Sequence, residues 1–259
     1  EFGSVSSSWG GDMTNSGVTL GTSGQKLGSG YYTYSNSNGY SDASTASDWK
    51  FLHDSTAKWT FNTWYKEPTN FGALNNLGFI LETSDSSSSG AGIAFKDDRN
   101  ADDRLMIEVN TDNSGQVIFI DQANVFPSDN NWHMLTVIYD YSLSSNNLEI
   151  FIDGVSKGTA SKSGTASDTD PVAPLRLGTG VSGHQQYYSD FKFDDMAIWK
   201  DEILTQSQID SLYDSGSGAL ASTVSSPYVY YNFDQDPLVN QGLVVSNADL
   251  IGTAIDNVK

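Results

Sequence analysis

The residues of this chain best equipped for chemistry are oxygen donors. The densest set is KDDRNADDR, Lys96 to Arg104, where Asp98, Asn100 and Asp102 stand on alternate positions and Asp97 and Asp103 add further carboxylates. Calcium takes about six to eight oxygen ligands, and a spacing of two lets successive side chains of a curved loop converge on one ion. The pattern therefore admits calcium at Asp97, Asp98, Asn100, Asp102 and Asp103. It equally admits a solvated hairpin loop in which Arg99 and Arg104 neutralise the acids. The helix-loop-helix calcium pattern is incomplete, because Val109 stands where its closing Glu belongs and Asp103 holds its Gly position. Asn110, Asp112 and Ser114 repeat the alternation, but NTDNSG between two strands also reads as ordinary turn chemistry.

A second set suits saccharides. Pyranose rings offer C–H faces to aromatic rings and hydroxyls to planar amides, and His184, Gln185, Gln186, Tyr187 and Tyr188 fall together in TGVSGHQQYYSD, Thr179 to Asp190. Tyr and Gln at a loop also serve for packing at a rim. YSNSNGY, Tyr34 to Tyr40, is a comparable aromatic loop.

Other chemistries are poorly supplied. There is no cysteine, so disulfides and thiolate metal sites are excluded. The three histidines, His53, His133 and His184, show no zinc-binding spacing, and His133, following Trp132 at a strand start, reads as a core or capping residue. No Gly-x-Ser-x-Gly elbow offers a nucleophile. The formal net charge is −19, from 32 acidic and 13 basic residues, which argues against nucleic acid and anionic membranes as partners. It is consistent with affinity for cations or with a solubilising surface. No apolar run approaches the length of a membrane span, so insertion into a bilayer is not expected.

These residues need strands to hold them. At 259 residues the chain can form one large β domain with a full core. Strands are expected at Tyr31–Tyr34, Lys58–Lys66, Leu77–Glu82, Ala91–Lys96, Arg104–Val109, Val117–Asp121, Trp132–Asp140, Leu148–Asp153, Val155–Ala160, Leu175–Leu177 and Tyr228–Phe233. Ser35 to Ser47 reads as a polar loop. Phe61 and Trp64 are three apart in KWTFNTWYK, so both faces of that strand can be buried. In FKFDDMAIWK, simple alternation puts Phe191, Phe193, Asp195, Ala197 and Trp199 on one face and Lys192, Asp194, Met196, Ile198 and Lys200 on the other. One short helix follows, near Thr205–Ser215. Thr205 and Gln208 form a capping box, Leu204 staples onto Ile209, and Gly216 is placed for the left-handed cap. Many short strands with a single helix predict an all-β fold, a two-sheet antiparallel β-sandwich. Residues 1–8 open with EFGS, which reads as a cloning scar and flexible lead; 9–216 form the sandwich; 217–259 are a linker and a strand that either docks on the sandwich or opens a further module.

Several segments together resemble the laminin G-like and pentraxin-like branch of the concanavalin A-like lectin and glucanase superfamily. They are KLGSGYYTYS, KWTFNTWYK, NWHMLTVIYDY, NLEIFIDGVSKG, LRLGTG and the aromatic strand that runs into Leu204, Thr205, Ile209 and Leu212. The resemblance implies a jelly-roll sandwich. It also implies that Asp194, beside Asp195, occupies a position where a carboxylate often helps to hold a structural calcium. The acidic run of the pentraxin calcium cluster is missing after LRLG. Missing too are the Glu-x-Asp-x-x-Glu strand of the glucanases and the basic and tyrosine constellations of the lyases. A non-catalytic carbohydrate-binding or adhesion module at an extracellular, cell or virion surface is therefore expected, with a polysaccharide or glycan as partner and calcium as possible cofactor. The alternatives are a structural repeat contacting neighbouring modules of the same protein and, after that, a polysaccharide hydrolase or lyase.

Overall fold

The computed structural model describes residues 12–34, 39–67, 77–84, 91–98, 104–112, 115–122, 125–181 and 191–234. In chain order the strands are β1 (Met13–Ser16), β2 (Val18–Gly21), β3 (Tyr31–Tyr34), β4 (Tyr40–Ala43), β5 (Lys58–Lys66), β6 (Leu77–Glu82), β7 (Gly92–Asp98) and β8 (Arg104–Asp112). They continue with β9 (Gly115–Gln122), β10 (Trp132–Asp140), β11 (Leu148–Ile152), β12 (Val155–Ala160), β13 (Leu175–Leu177), β14 (Lys192–Lys200) and β15 (Val229–Tyr231). A 3-10 helix at Ala46–Leu52 and the α-helix α1 at Gln206–Tyr213 join them.

Two antiparallel sheets face each other, in the order β1-β4-β13-β6-β7-β8-β9 and β12-β11-β10-β5-β14-β3-β2, with β15 on β14. Between them lies the main core, which includes Trp59, Phe61, Tyr65, Phe95, Val137, Tyr139 and Phe193. A second layer covers the outer face of the β5–β10–β14 sheet, where Trp64, Met134, Phe151, Trp199, Ile209, Leu212 and Tyr230 pack together. β5 accordingly buries both of its faces, Phe61 inward and Trp64 outward. A helix of this length is marginal alone, and its stability comes from that docked stripe. Thr205 and Gln208 form the capping box, and Leu204 and Ile209 are both buried beside it.

Three local expectations are corrected. β4 lies within the expected polar loop Ser35–Ser47; its Ser41 and Ala43 turn inward, and the seryl hydroxyl of Ser41 meets Tyr34 Oη at 2.9 Å. A polar strand paired on both sides, with β1 and β13, carries too little hydrophobic signal for a period-two reading. The helix ends earlier than its glycine suggests, at Asp214, which takes the left-handed conformation itself (φ 43°) as aspartate tolerates. In β14 the simple alternation fails. The register with β5 shifts between Asp194 and Ala197, and Asp195 has φ 49°, so Phe193, Met196 and Ile198 face the core while Ala197 and Trp199 face the helix. One extra residue in a bulge exchanges the faces of everything after it.

Candidate functional site

Strand register gathers several chain connections at one end of the sandwich. The end of β5 lies beside the starts of β10 and β14, through Trp132↔Lys66 and Lys192↔Lys66. In the facing sheet, the start of β6 lies opposite the end of β7, through Leu77↔Asp98, and the start of β8 opposite the end of β9, through Leu105↔Gln122. Aromatic packing fixes the connections here: Tyr65 of β5 stacks on Phe126 of the β9–β10 connection at 4.1 Å, and Phe126 meets Phe191, just before β14, edge-on at 5.8 Å. The Tyr65 hydroxyl is raised well above the ordinary phenol range, first by burial and then by the charges of Glu67, Asp153, Asp97 and Asp129. The end is therefore acidic and partly dry.

Of the calcium candidates, Asp97 and Asp98 are the last two residues of β7, and Asp97 is buried. Asn100, Asp102 and Asp103 lie outside the described residues, as do the saccharide candidates His184, Gln185, Gln186, Tyr187 and Tyr188. The strand ends flanking both segments belong to the end just defined.

His133 and Asp153 form its best-defined polar unit. The imidazole Nδ1 lies 2.7 Å from Asp153 Oδ2, and Nε2 lies 3.1 Å from Asp129 Oδ1. Only an imidazolium donates at both nitrogens, so this pairing is fully satisfied by the charged ring. Burial alone would lower the His133 pKa, but the hydrogen bonds and charges of Asp153 and Asp129 outweigh it and raise the pKa above the usual histidine value. Asp153 Oδ1 also accepts the Met134 amide at 2.9 Å, and Asp153 takes φ 53° beside Gly154 in the β11–β12 hairpin. The turn signal Asp-Gly is legible in sequence. Its second use as the orienting acid of His133 is not, because that partner lies twenty residues earlier on another strand.

On the outer face of the same sheet, the β14 bulge carries two buried acids. Asp194 Oδ2 accepts the backbone amides of Lys26 and Leu27, each at 2.9 Å, whereas Asp194 Oδ1 is buried without a hydrogen-bond partner. Asp195 accepts the Tyr230 hydroxyl at 2.5 Å and the Ala221 amide at 3.0 Å. Asp234 closes the group by accepting the Gly30 amide at 2.8 Å, and a side chain at Gly28 would strike the Asp234 carboxylate. Burial first, then the neighbouring Asp195 and Asp234 charges, pushes Asp194 up to about 8, against the pull of the two amides. Burial likewise carries Asp195 to about 6. The Lys26 ammonium lies 4.1 Å from the centre of the Trp64 ring and donates to the Gly216 carbonyl. A carboxylate with a buried, unpartnered oxygen suits a cation. A calcium shell needs more oxygens than that, and no group of three or more His, Cys, Asp or Glu able to hold a metal occurs among the described residues.

The outer face of the other sheet carries a row of charges, each already held. Arg176 donates to Asp42 through Nε and Nη2, both at 2.7 Å; Glu82 accepts the Val181 amide at 2.7 Å; Lys96 reaches Glu108 at 2.5 Å. Glycosidic hydrolysis needs one acid able to donate a proton and a second free to attack or to activate water. Glu82 and Glu108, tied to an amide and an ammonium, are committed elsewhere.

A laminin G family model, described as the concanavalin A-like lectin/glucanases superfamily, matches residues 16–210. The chain belongs to this superfamily. No curated protein sequence matches it. Among solved structures, the botulinum neurotoxin serotype G binding domain aligns with a TM-score of 0.54 at 18% identity, over 82% of this chain and 48% of that one. The serotype D binding domain gives 0.58 at 13% identity over 81% and 48%. The binding domain of Paraclostridial Mosquitocidal Protein 1 gives 0.57 at 14% identity over 80% and 48%. This chain thus spans just under half the length of each, and identities this low define a shared fold. Among the described residues no helix is long and apolar enough to cross a membrane.

Proposed function

We propose that this chain is a non-catalytic binding module of an extracellular or surface protein, that it takes a glycan at the loop end of the sandwich, and that calcium stabilises it. The observation that carries the reading is the convergence of strand ends. The connection bearing His184 to Tyr188 and the connection bearing Asn100 to Asp103 both leave from the end where His133, Asp129 and Asp153 form a fixed acidic frame. Loops on a rigid sandwich are where binding residues concentrate. The solved structures of like fold are themselves described as binding domains. The commitment of Glu82 and Glu108 to other partners favours binding over hydrolysis.

Glycan-array profiling with and without a chelator tests the reading. Binding that is lost in a Tyr187→Ala, Tyr188→Ala double variant supports it, and unchanged binding removes this loop as the site. Two places offer calcium a carboxylate: Asp194, whose Oδ1 is buried without a hydrogen-bond partner and would be one ligand of a shell that needs further oxygens, and the acids of the 97–103 segment. At a calcium concentration about 100 times its Kd the folded state should gain about 2.7 kcal/mol, read as a rise in Tm that chelation reverses. Loss of this rise in Asp194→Asn, with its retention in Asp98→Asn, places the ion at the bulge; the opposite result places it at the 97–103 loop.

A further inference from the structure

At the opposite end of the β5–β10 strand pair, the outer face opens into a cavity of about 280 Å³ lined by Lys58, Ile138, Asp140, Leu143, Asn146 and Ile203. Its floor is aliphatic. Ile138 and Ile203 are half-buried, and Leu143, in the β10–β11 turn, leaves 46% of its surface exposed. The turn is rigid, because Asn147 Nδ2 donates to the carbonyls of Asp140 at 2.9 Å and Leu143 at 2.8 Å, and Asn147 Oδ1 accepts the Lys162 amide at 2.9 Å. The apolar wall at Leu143 is thus held open to solvent by hydrogen bonds beneath it.

The polar edge has unused capacity. Lys58 and Asp140 are directly paired in register, with Nζ 3.8 Å from Oδ2, which is an ion pair but too long for a hydrogen bond. Asp140 Oδ1 is taken by the amide and hydroxyl of Ser142, at 2.9 and 2.5 Å. Asp140 Oδ2 accepts no hydrogen bond and the Lys58 ammonium donates none among the described residues. Asn146 adds a further amide at the rim, its Oδ1 accepting from Thr159 at 3.3 Å.

We infer that this cavity is a saccharide subsite, taking one pyranose ring with its C–H face on Ile138, Leu143 and Ile203 and a hydroxyl between Lys58 and Asp140. The separation of the ion pair selects the chemistry. An oxygen within hydrogen-bonding distance of both groups must accept from the ammonium and donate to the carboxylate, and a neutral hydroxyl does both. An amino-acid zwitterion can pair its carboxylate with Lys58 and its ammonium with Asp140, so leucine is the control that separates the two ligand classes. A nucleotide or other phosphate meets the Asp140 charge, and the lining has no aromatic ring on which a base could stack. The volume lies just below the roughly 300–1,000 Å³ of drug-sized ligand sites, which fits one ring rather than an oligomer.

This inference is independent of the loop-end reading, since the two sites lie at opposite ends of β5 and β10. The full chain, labelled with 15N, is titrated with the methyl α- and β-glycosides of glucose, galactose, mannose and xylose and, separately, with leucine. Saturable amide shifts at 138–147 with at least one glycoside are expected, at millimolar Kd. They should weaken by about tenfold or more in Leu143→Asp and in Lys58→Met, and stay unchanged in the Tyr187→Ala, Tyr188→Ala variant. Leu143 is exposed and Lys58 is partly so, and superposable spectra of the free variants verify their folds. No saturable shifts with any glycoside, shifts that persist in both pocket variants, or saturation by leucine in place of the glycosides would each overturn the subsite. Failure of the glycan array with saturation here would remove the loop-end site alone.

Discussion

The two ends of the β5–β10 pair carry the same kinds of charge and use them differently. At the loop end, His133 sits between two carboxylates at 2.7 and 3.1 Å, and each of these also takes a backbone amide, Asp153 from Met134 and Asp129 from Asn131. At the far end Lys58 and Asp140 stand 3.8 Å apart and share no hydrogen bond. The first arrangement is closed, with every donor of the ring answered from within the protein, so its role is to fix the frame from which loops depart. The second is open, and its spare donors and acceptor are available to something outside. Satisfaction of hydrogen bonds, rather than the presence of charge, separates a framework from a candidate recognition site.

Substitutions at the two ends should therefore differ in size. Asp153→Ala removes the partner of His133, the acceptor of the Met134 amide and a residue suited to φ 53° at once, and should cost about 2–3 kcal/mol in urea denaturation. Asp153→Asn, which keeps the left-handed turn and an amide acceptor, should cost less. A loss no greater than that of a surface residue would mean that the loop-end frame is not closed.

The same unit predicts a pH dependence. The folded His133 pKa is raised, so its contribution to stability is present in full below the ordinary imidazole pKa and is lost as pH rises through the folded value. Denaturation midpoints measured from pH 5 to 9 should fall across that window in the parent protein, Asp194 and Asp195 adding to the fall, and the slope should be shallower in His133→Gln. Equal slopes in both would assign the dependence to other groups.

At the open end the effects shrink. Asp140→Asn should cost about 1 kcal/mol, because it weakens the acceptor for Ser142 as well as the ion pair. Lys58→Met should shift stability by no more than about 0.5 kcal/mol, since the lysine side chain is 44% exposed and exposed pairs contribute little. A loss from Lys58→Met that rivals Asp153→Ala would erase the distinction between the two ends.

Strand existence was largely legible because the period-two pattern and turn chemistry are local. Lys58–Lys66, Leu77–Glu82, Trp132–Asp140, Val155–Ala160 and Leu175–Leu177 are found at the bounds read from sequence, and Thr205 caps its helix as its spacing with Gln208 requires. β4 and the side-chain facing of β14 were not legible. Both depend on partners distant in sequence: Ser41 and Ala43 are inward because β1 and β13 flank them, and the bulge at Asp195 exists because Ala221 and Tyr230 are there to receive its carboxylate. The candidate sites divide in the same way. The sequence reads His133 as a core or capping residue, and the family resemblance puts Asp194 where a carboxylate often helps to hold calcium, but Lys26, Asp129 and Asp234 have no local signal that links them to these groups. The Lys58–Asp140 cavity was missed altogether, since its lining is drawn from β5, the end of β10, the following turn and the approach to α1, and aliphatic residues at such spacings read as ordinary sandwich.

The bulge in β14 also bears on the order of events during synthesis. Its acids are secured by amides at Lys26 and Leu27 on one side and by Ala221 and Tyr230 on the other, and Asp234 reaches back to Gly30. Sheet pairing over such separations is slow, because loop closure is unfavourable until the contacts it permits are made. A ribosome delivers Lys26 long before any of these partners. Until residue 234 has emerged, the two acids have no complete setting, and the early strands wait on the last ones.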